Sequence, residues 1–434
     1  MKTILVTGQC TLHWGRLEYG NIGNYYVAEP LFRELRKVFP DAEVRTTFQM
    51  SDAFCEREGI TRLPMELYYG WDDLDLETAE REYQITKSFA EGGQLAEQTP
   101  YIEEVLNCDL FVDFSGDIWG DNADLVGPNR FYIGLLKDRV AQLLGKKTAM
   151  IAGSPGPFTN PNTLPLAQEV FKNFDVVTNR EEISIKVLRD QGFEIDHVHS
   201  CACPAFLFEP SSVEVISSLL EAEGLMQNKR PAIGFVLCGW NMTEGPYTKW
   251  PRDDAEYDEF TQLVGHVLES TDADIYFMSH SNGFELPPNF KLIQGRDQPF
   301  AQQMYEIALK QGWEKRVHVV GATFLPPQMK GVLGNLDALI SGRVHAAVGA
   351  LAQNVPTLVI DYGHEPKAHK LRGFARVAGV EEFLVDPADV DKMKAKFSKM
   401  WDNREQIHDE LRERMKVVRK MSRENFEILS KSLA

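Results

Sequence analysis

The sequence predicts an α/β protein of two doubly wound parallel-sheet domains facing a cleft, with a helical tail at the carboxyl end. Three observations carry that prediction. Short β-branched apolar runs alternate with helical patterns along nearly the whole chain, as βαβ units require. The alternation is interrupted once, by Pro204 and a polar stretch at 209–212, and then begins again. The length, 434 residues, also exceeds what one hydrophobic core ordinarily supports.

In the first half, candidate strands fall at residues 3–7, 42–47, 110–114, 148–152, 176–178 and 197–200. An amphipathic helix at 213–223 and a polar linker at 227–230 separate them from a second series. That series falls at 232–237, 274–278, 317–320, 338–340, 357–360 and 383–385. The expected organisation is an N-terminal Rossmann-like domain over 1–210, a helix and linker over 211–230, and a second Rossmann-like domain over 231–390. A charged tail helix over 391–434 is expected to cross back to the first domain. Ligands of such folds lie outside the carboxyl ends of the strands, so the loops there are the places to look for chemistry.

Composition narrows the function. With 43% hydrophobic and 25% charged residues, the chain reads as an ordinary soluble globular protein. Its 46 basic and 64 acidic side chains leave a formal net charge of −18, which disfavours non-specific binding to nucleic acid or anionic membrane. The six cysteines make no disulfide framework in so long a chain. Cys201 and Cys203, near His197 and His199, lack the paired spacing of a zinc site, and no metal is expected. The first residues run straight into a strand, and no segment has the length of a membrane span, so a cytoplasmic protein is expected.

Five loops offer chemistry. After the first strand, Gly20-Asn21-Ile22-Gly23-Asn24 lets the main chain approach a ligand and offers amide donors, although a structural turn explains it equally well. Its spacing is not that of a dinucleotide fingerprint. The strand at 110–114 ends in Ser115-Gly116-Asp117, with Asp121 just beyond. Both carboxylates suit sugar hydroxyls or general-base work, or else a solvated or capping role. At Thr178-Asn179-Arg180-Glu181 an arginine stands at a helix start against the macrodipole, as happens where an arginine must reach an anion.

The strongest local pattern is Ile340-Ser341-Gly342-Arg343-Val344-His345, followed by a helix of small residues. There the helix amides and the Arg343 guanidinium make an anion site for carboxylate or phosphate. His345 adds a group that donates or accepts a proton near neutral pH. Next in order, Asp361 to Lys367 brings a further cation, Lys367.

These residues resemble the signature of the polysaccharide pyruvyl transferase family. The run from Ile340 to Ala346, then Pro356, Tyr362, Lys367 and the stretch 373–379, carries the resemblance in the second half. The Gly20–Asn24 loop, the Phe114-Ser115-Gly116 turn, Gly156-Pro157 and Thr178–Glu181 match in order in the first. The chain departs from the pattern at Ser200–Pro204, where an Asp-Pro pair is common, and at Gly116-Asp117, where Gly-Gly is usual.

The resemblance implies two Rossmann-like halves similar to B-type glycosyltransferases, with phosphoenolpyruvate as donor and a saccharide or lipid-linked saccharide as acceptor. A lipid-linked acceptor leaves room for peripheral membrane contact. Arg343, Val344 and His345 then bind phosphoenolpyruvate, Arg180 reaches it from the first domain, and Lys367, Asn21 and Asn24 assist. In the mechanism expected on this reading, His345 is the general acid and Asp117 or Asp121 the base. No metal or cofactor enters this scheme. Two other readings share the architecture: a glycosyltransferase that uses a nucleotide sugar, and a non-catalytic protein that binds an anion or a sugar.

Overall fold

The computed structural model describes residues 2–242, 247–362 and 368–432. The chain divides into two compact units. Unit 1 comprises Met1–Leu17, Ala28–Pro204 and Met421–Ala434; unit 2 comprises Glu18–Val27 and Ala205–Lys420.

Unit 1 is built on β1 (Thr3–Thr7), β2 (Glu43–Thr46), β3 (Ile60–Arg62), β4 (Leu110–Asp113), β5 (Lys147–Gly153), β6 (Val176–Asn179) and β7 (Val198–Ser200). All pairs are parallel, in the order β3-β2-β1-β4-β5-β6-β7. Every residue of β4 is buried, because helices cover both faces of the sheet; hence its apolar run lacks the alternation of a half-exposed strand. The strand order reverses between β1 and β4. Connections leave these neighbours in opposite directions, which opens a crevice at their carboxyl ends.

Unit 2 repeats the plan with β8 (Ala232–Val236), β9 (Asp274–Phe277), β12 (Val317–Val319), β13 (Ala338–Ser341), β14 (Thr357–Ile360) and β15 (Leu384–Val385), in the order β12-β9-β8-β13-β14-β15. Its reversal lies between β8 and β13. An antiparallel hairpin of β10 (Asn282–Glu285) and β11 (Lys291–Gln294) follows β9.

Three features depart from the sequence reading. Strand β3 and the β10–β11 hairpin are additional, and both are largely solvent-facing, so they bury no apolar run by which to recognise them. The charged tail is two helices, Val390–Asp402 and Arg404–Ser432, the first capped by the Asp389 carboxylate accepting from the Lys392 amide at 3.0 Å. Residues 18–27, early in the chain, group with unit 2.

At the end of the long helix, the Asn425 side chain accepts from Thr178 Oγ1 at 2.7 Å and donates to the Ala202 carbonyl at 2.9 Å, which ties this segment into unit 1. The unit 1 core gathers Trp119 against Phe131, Phe158, Phe171 and Phe193, with ring centroids 5.4–6.4 Å apart. Trp119 is therefore core.

Candidate functional site

In unit 2 the loops that follow β8, β9 and β13 converge on Arg343. Asn241, fully buried after β8, accepts from the Cys238 amide at 2.9 Å and donates to the Gly342 carbonyl at 3.3 Å. Gly342 is needed there, because a Cβ would lie 2.1 Å from the Asn241 amide oxygen. Ser341 Oγ accepts from the Arg343 amide at 3.1 Å and donates to its carbonyl at 3.0 Å, fixing the turn into the helix Val344–Leu351. The first amides of that helix have no partner within it, and they end at the sheet's switch point.

The Arg343 guanidinium is held by a partner the sequence did not reveal. Its Nε donates to Asp297 Oδ2 at 2.8 Å and its Nη2 donates to Oδ1, a bidentate pair in which both residues are buried. Asp297 is itself positioned by its amide, which donates to Ser281 Oγ at 3.0 Å. Burial opposes the Arg343 charge, but Asp297 outweighs it and holds the pKa above the ordinary arginine range. Among the described residues two of its three nitrogens are thus engaged, and Nη1 is the one open to a ligand. Arg296, exposed to solvent, adds a second cation; the Arg343 charge is the chief cause that lowers its pKa.

His345 is half-buried in the first turn of the same helix. Its ring is pressed against Gly23, where a Cβ would fall 2.5 Å from His345 Nδ1. Asn21 stands at the entry of that segment: its Oδ1 accepts from the Gly23 amide at 3.1 Å, and its main chain bridges Ser281. The Asn21 side chain is therefore occupied in capping the helix Ile22–Val38. Asn24 is half-buried in the first turn, as is Val344 in the helix that follows β13. Lys367 lies outside the described residues.

Unit 1 has a polar group of its own, at the carboxyl ends of β1, β4, β5 and β6. Arg180 is buried; its Nε donates to Ser154 Oγ at 2.9 Å and its Nη1 to Cys203 Sγ at 3.9 Å. Burial works against its charge, yet Cys203, Asp117 and Glu181 together raise its pKa, so Arg180 and Asp117 lie within electrostatic reach of each other. Cys10, beside Asp117 and Asp113, is pushed up to about 12, mainly by burial, and its thiol stays protonated. Asp121 has a different setting. Its Oδ2 accepts from Thr159 Oγ1 at 2.8 Å, the Asn160 amide at 2.9 Å and the Thr159 amide, which ties down the loop after Pro157.

Below that loop lies a carboxyl pair that sequence reasoning passed over. Burial raises Asp113, the last residue of β4, to about 7, with Ser115 Oγ donating to it at 2.8 Å. Burial and Asp113 together hold Asp138 well above the carboxylate range. Arg130, also fully buried, donates to the Gln9 carbonyl at 2.7 Å and lies over the rings of Tyr69 and Trp71, each 4.6 Å away. An aspartate closing an apolar run was the one sequence sign of this group.

The model of a family described as polysaccharide pyruvyl transferase matches residues 21–364. No curated protein matches the sequence. In structure the chain is similar to a glycosyltransferase from Rickettsia africae, at 12% identity and a TM-score of 0.60, over 100% of this chain and 98% of that one. It is similar also to UDP-GlcNAc 2-epimerase from Neisseria meningitidis bound to UDP-GlcNAc, at 13% identity, a TM-score of 0.57, and 100% and 99% coverage. An Anabaena protein in complex with UDP and glucose aligns at 13% identity, a TM-score of 0.55, and 99% and 100% coverage. At such identities the likeness is one of fold, that of the B-type glycosyltransferases.

Proposed function

This chain belongs to the polysaccharide pyruvyl transferase family, and from that premise we propose that it transfers pyruvate from phosphoenolpyruvate to a saccharide, forming a cyclic ketal. The observation that carries the reading is the unit 2 anion site: Arg343 braced by Asp297, Arg296 beside it, and His345 at the same helix start. Phosphoenolpyruvate carries a carboxylate and a phosphate close together, and a compact group of cations and amides answers that shape.

In the proposed reaction, Arg343 Nη1, Arg296 and the helix amides hold the donor's anionic groups, with Lys367 as an accessory cation. His345 donates a proton to the methylene carbon, which becomes a methyl group, and the adjacent carbon becomes oxocarbenium-like. A sugar hydroxyl adds to that carbon. A second hydroxyl then displaces phosphate, which leaves with the C–O bonding pair, and the ketal closes. We assign the base for the hydroxyls to Asp117, which follows β4 within electrostatic reach of Arg180, rather than to Asp121, whose Oδ2 ties down residues 159 and 160. Arg180, beside Asp117, is its proposed companion in substrate binding.

Thermal stabilisation tests the reading. A ligand at about 100 times its Kd adds about 2.7 kcal/mol to folded-state stability, a shift of several degrees in a protein of this size. Phosphoenolpyruvate is expected to give that shift in wild type and to lose it in Arg296→Ala, whose exposed side chain is removable without opening the core. A shift with UDP-sugars and none with phosphoenolpyruvate replaces this reading with glycosyl transfer.

A further inference from the structure

We propose that His280 is a further ligand-binding residue of the unit 2 site, a neutral imidazole whose N–H donates to an oxygen of the bound carboxylate or phosphate. The inference rests on the anion-site part of the proposed function and on no feature of the acceptor.

His280 follows β9, at the carboxyl end of a strand adjacent to β8 and one position from the switch point. It is 1% exposed, and neither ring nitrogen has a hydrogen-bond partner among the described residues, beyond a loose contact with its own main chain. Leaving a buried donor and acceptor unmatched costs about 1–3 kcal/mol per group, so a buried ring open at both nitrogens points to a polar partner beyond the protein chain.

Its surroundings identify what that is. The charges acting on it are those of Arg343 and His345, which places the ring near two residues of the anion site. Together with burial, they hold the His280 imidazole well below its ordinary range. The ring is therefore neutral, with one N–H to give and one lone pair to receive. A third cation at this spot repels Arg343; a neutral donor adds a hydrogen bond to an anion without that repulsion.

The ring is also held in place. Tyr26 meets it edge to face at 5.3 Å between centroids, and Tyr26 is in turn stacked on Phe208 at 4.8 Å. The next residue, Ser281, bridges Asn21 through its main chain and accepts the Asp297 amide on its hydroxyl. One short segment thus sets His280, the Asp297 brace of Arg343 and the Asn21 entry of the Gly23–His345 contact.

The test is anion titration by calorimetry in wild type, His280→Phe and His280→Gln, with phosphoenolpyruvate, inorganic phosphate, pyruvate and UDP as separate probes. Folding of each variant is checked by its melting temperature. A hydrogen bond to a charged group is worth roughly 10- to 100-fold in Kd. His280→Phe is expected to lose about that much for the probe whose group it contacts. His280→Gln, which keeps an N–H, should recover part of it. Phosphate against pyruvate tells which anionic group is contacted.

In wild type, the imidazole 15N signals of His280 should move on addition of the same probe, a readout that needs no variant to fold. Unchanged affinity in His280→Phe with phosphoenolpyruvate still bound overturns the inference and leaves the pyruvyl-transfer reading intact. Binding of UDP and not phosphoenolpyruvate, with the same loss in His280→Phe, upholds the inference and overturns that reading. Wild type that binds none of the probes overturns both.

Discussion

Replacing Gly23 by alanine puts the placement of His345 to the test. Gly23 is the second residue of the helix Ile22–Val38, and its φ is not positive, so the backbone accepts alanine without strain. The obstacle is the neighbour. The new Cβ would lie 2.5 Å from His345 Nδ1 and 2.7 Å from both His345 Cβ and Cγ, where ordinary contact begins at 3.4 Å. Turning the ring about its χ1 moves Nδ1 but leaves the Cβ where it is. The two segments must therefore separate by about 0.7 Å, and a misplacement of about 1 Å at a reacting group costs on the order of 100-fold in rate.

Overpacking of this kind costs about 1–3 kcal/mol in stability, partly offset by the 0.5–1 kcal/mol or so that alanine gains over glycine in a helix. The expected outcome is a fall of about 10- to 100-fold in phosphate release from phosphoenolpyruvate with an accepted saccharide, alongside a loss of only about 1–2 kcal/mol in urea unfolding. Gly321→Ala, where a Cβ meets nothing within 4 Å, serves as the control. Wild-type turnover in a folded Gly23→Ala protein would refute the claim that this contact positions His345.

Three other predictions follow from buried charges. Asp297→Asn keeps the shape of the Arg343 brace but leaves a buried guanidinium without its counter-charge, so it should cost about 3–5 kcal/mol in denaturant unfolding; a loss below 1 kcal/mol contradicts the bidentate pair. Lys137 and Glu82 form an ion pair at 2.6 Å, both side chains 3% exposed, with Thr99 Oγ1 donating to the carboxylate at 2.7 Å. Glu82→Gln should destabilise by a similar amount, and the double variant with Lys137→Met by much less than the sum of the singles, as a double-mutant cycle will read. Asp113 governs a pH dependence: its folded pKa of about 7 stands above the ordinary 3.8, so its contribution to stability is present in full below that value and is lost as pH rises through 7. Wild type should therefore lose up to about 1.4 kcal/mol per pH unit from this group across that window. Asp113→Asn should flatten that slope in urea melts at pH 5, 6 and 7; an unchanged slope excludes Asp113 as its source.

The fold was legible in sequence wherever a strand is buried on both faces. Ala338–Ser341 and Leu110–Asp113 are buried throughout and apolar up to their last residue because helices cover both sides of each sheet, and burial writes itself into composition. The hairpin and β3 left no such trace, since strands facing water need only main-chain pairing. Local chemistry was equally readable: Arg343 and His345 lie two residues apart at a strand-to-helix turn, and sequence proximity alone puts them together.

Other pairings are written nowhere along the chain. Asp297 meets Arg343 across 46 positions, His280 lies near both Arg343 and His345, and Gly23 packs on a histidine more than three hundred residues away. A parallel sheet gathers the carboxyl ends of its strands by their order in the sheet, not in the sequence, and that order is settled by packing of the whole unit. The sequence by itself determined two doubly wound units and an arginine-histidine turn suited to an anion. Only the tertiary structure decided that Arg343 is already braced by a carboxylate, that Arg296 supplies the exposed cation, and that a neutral, unpartnered histidine stands near them.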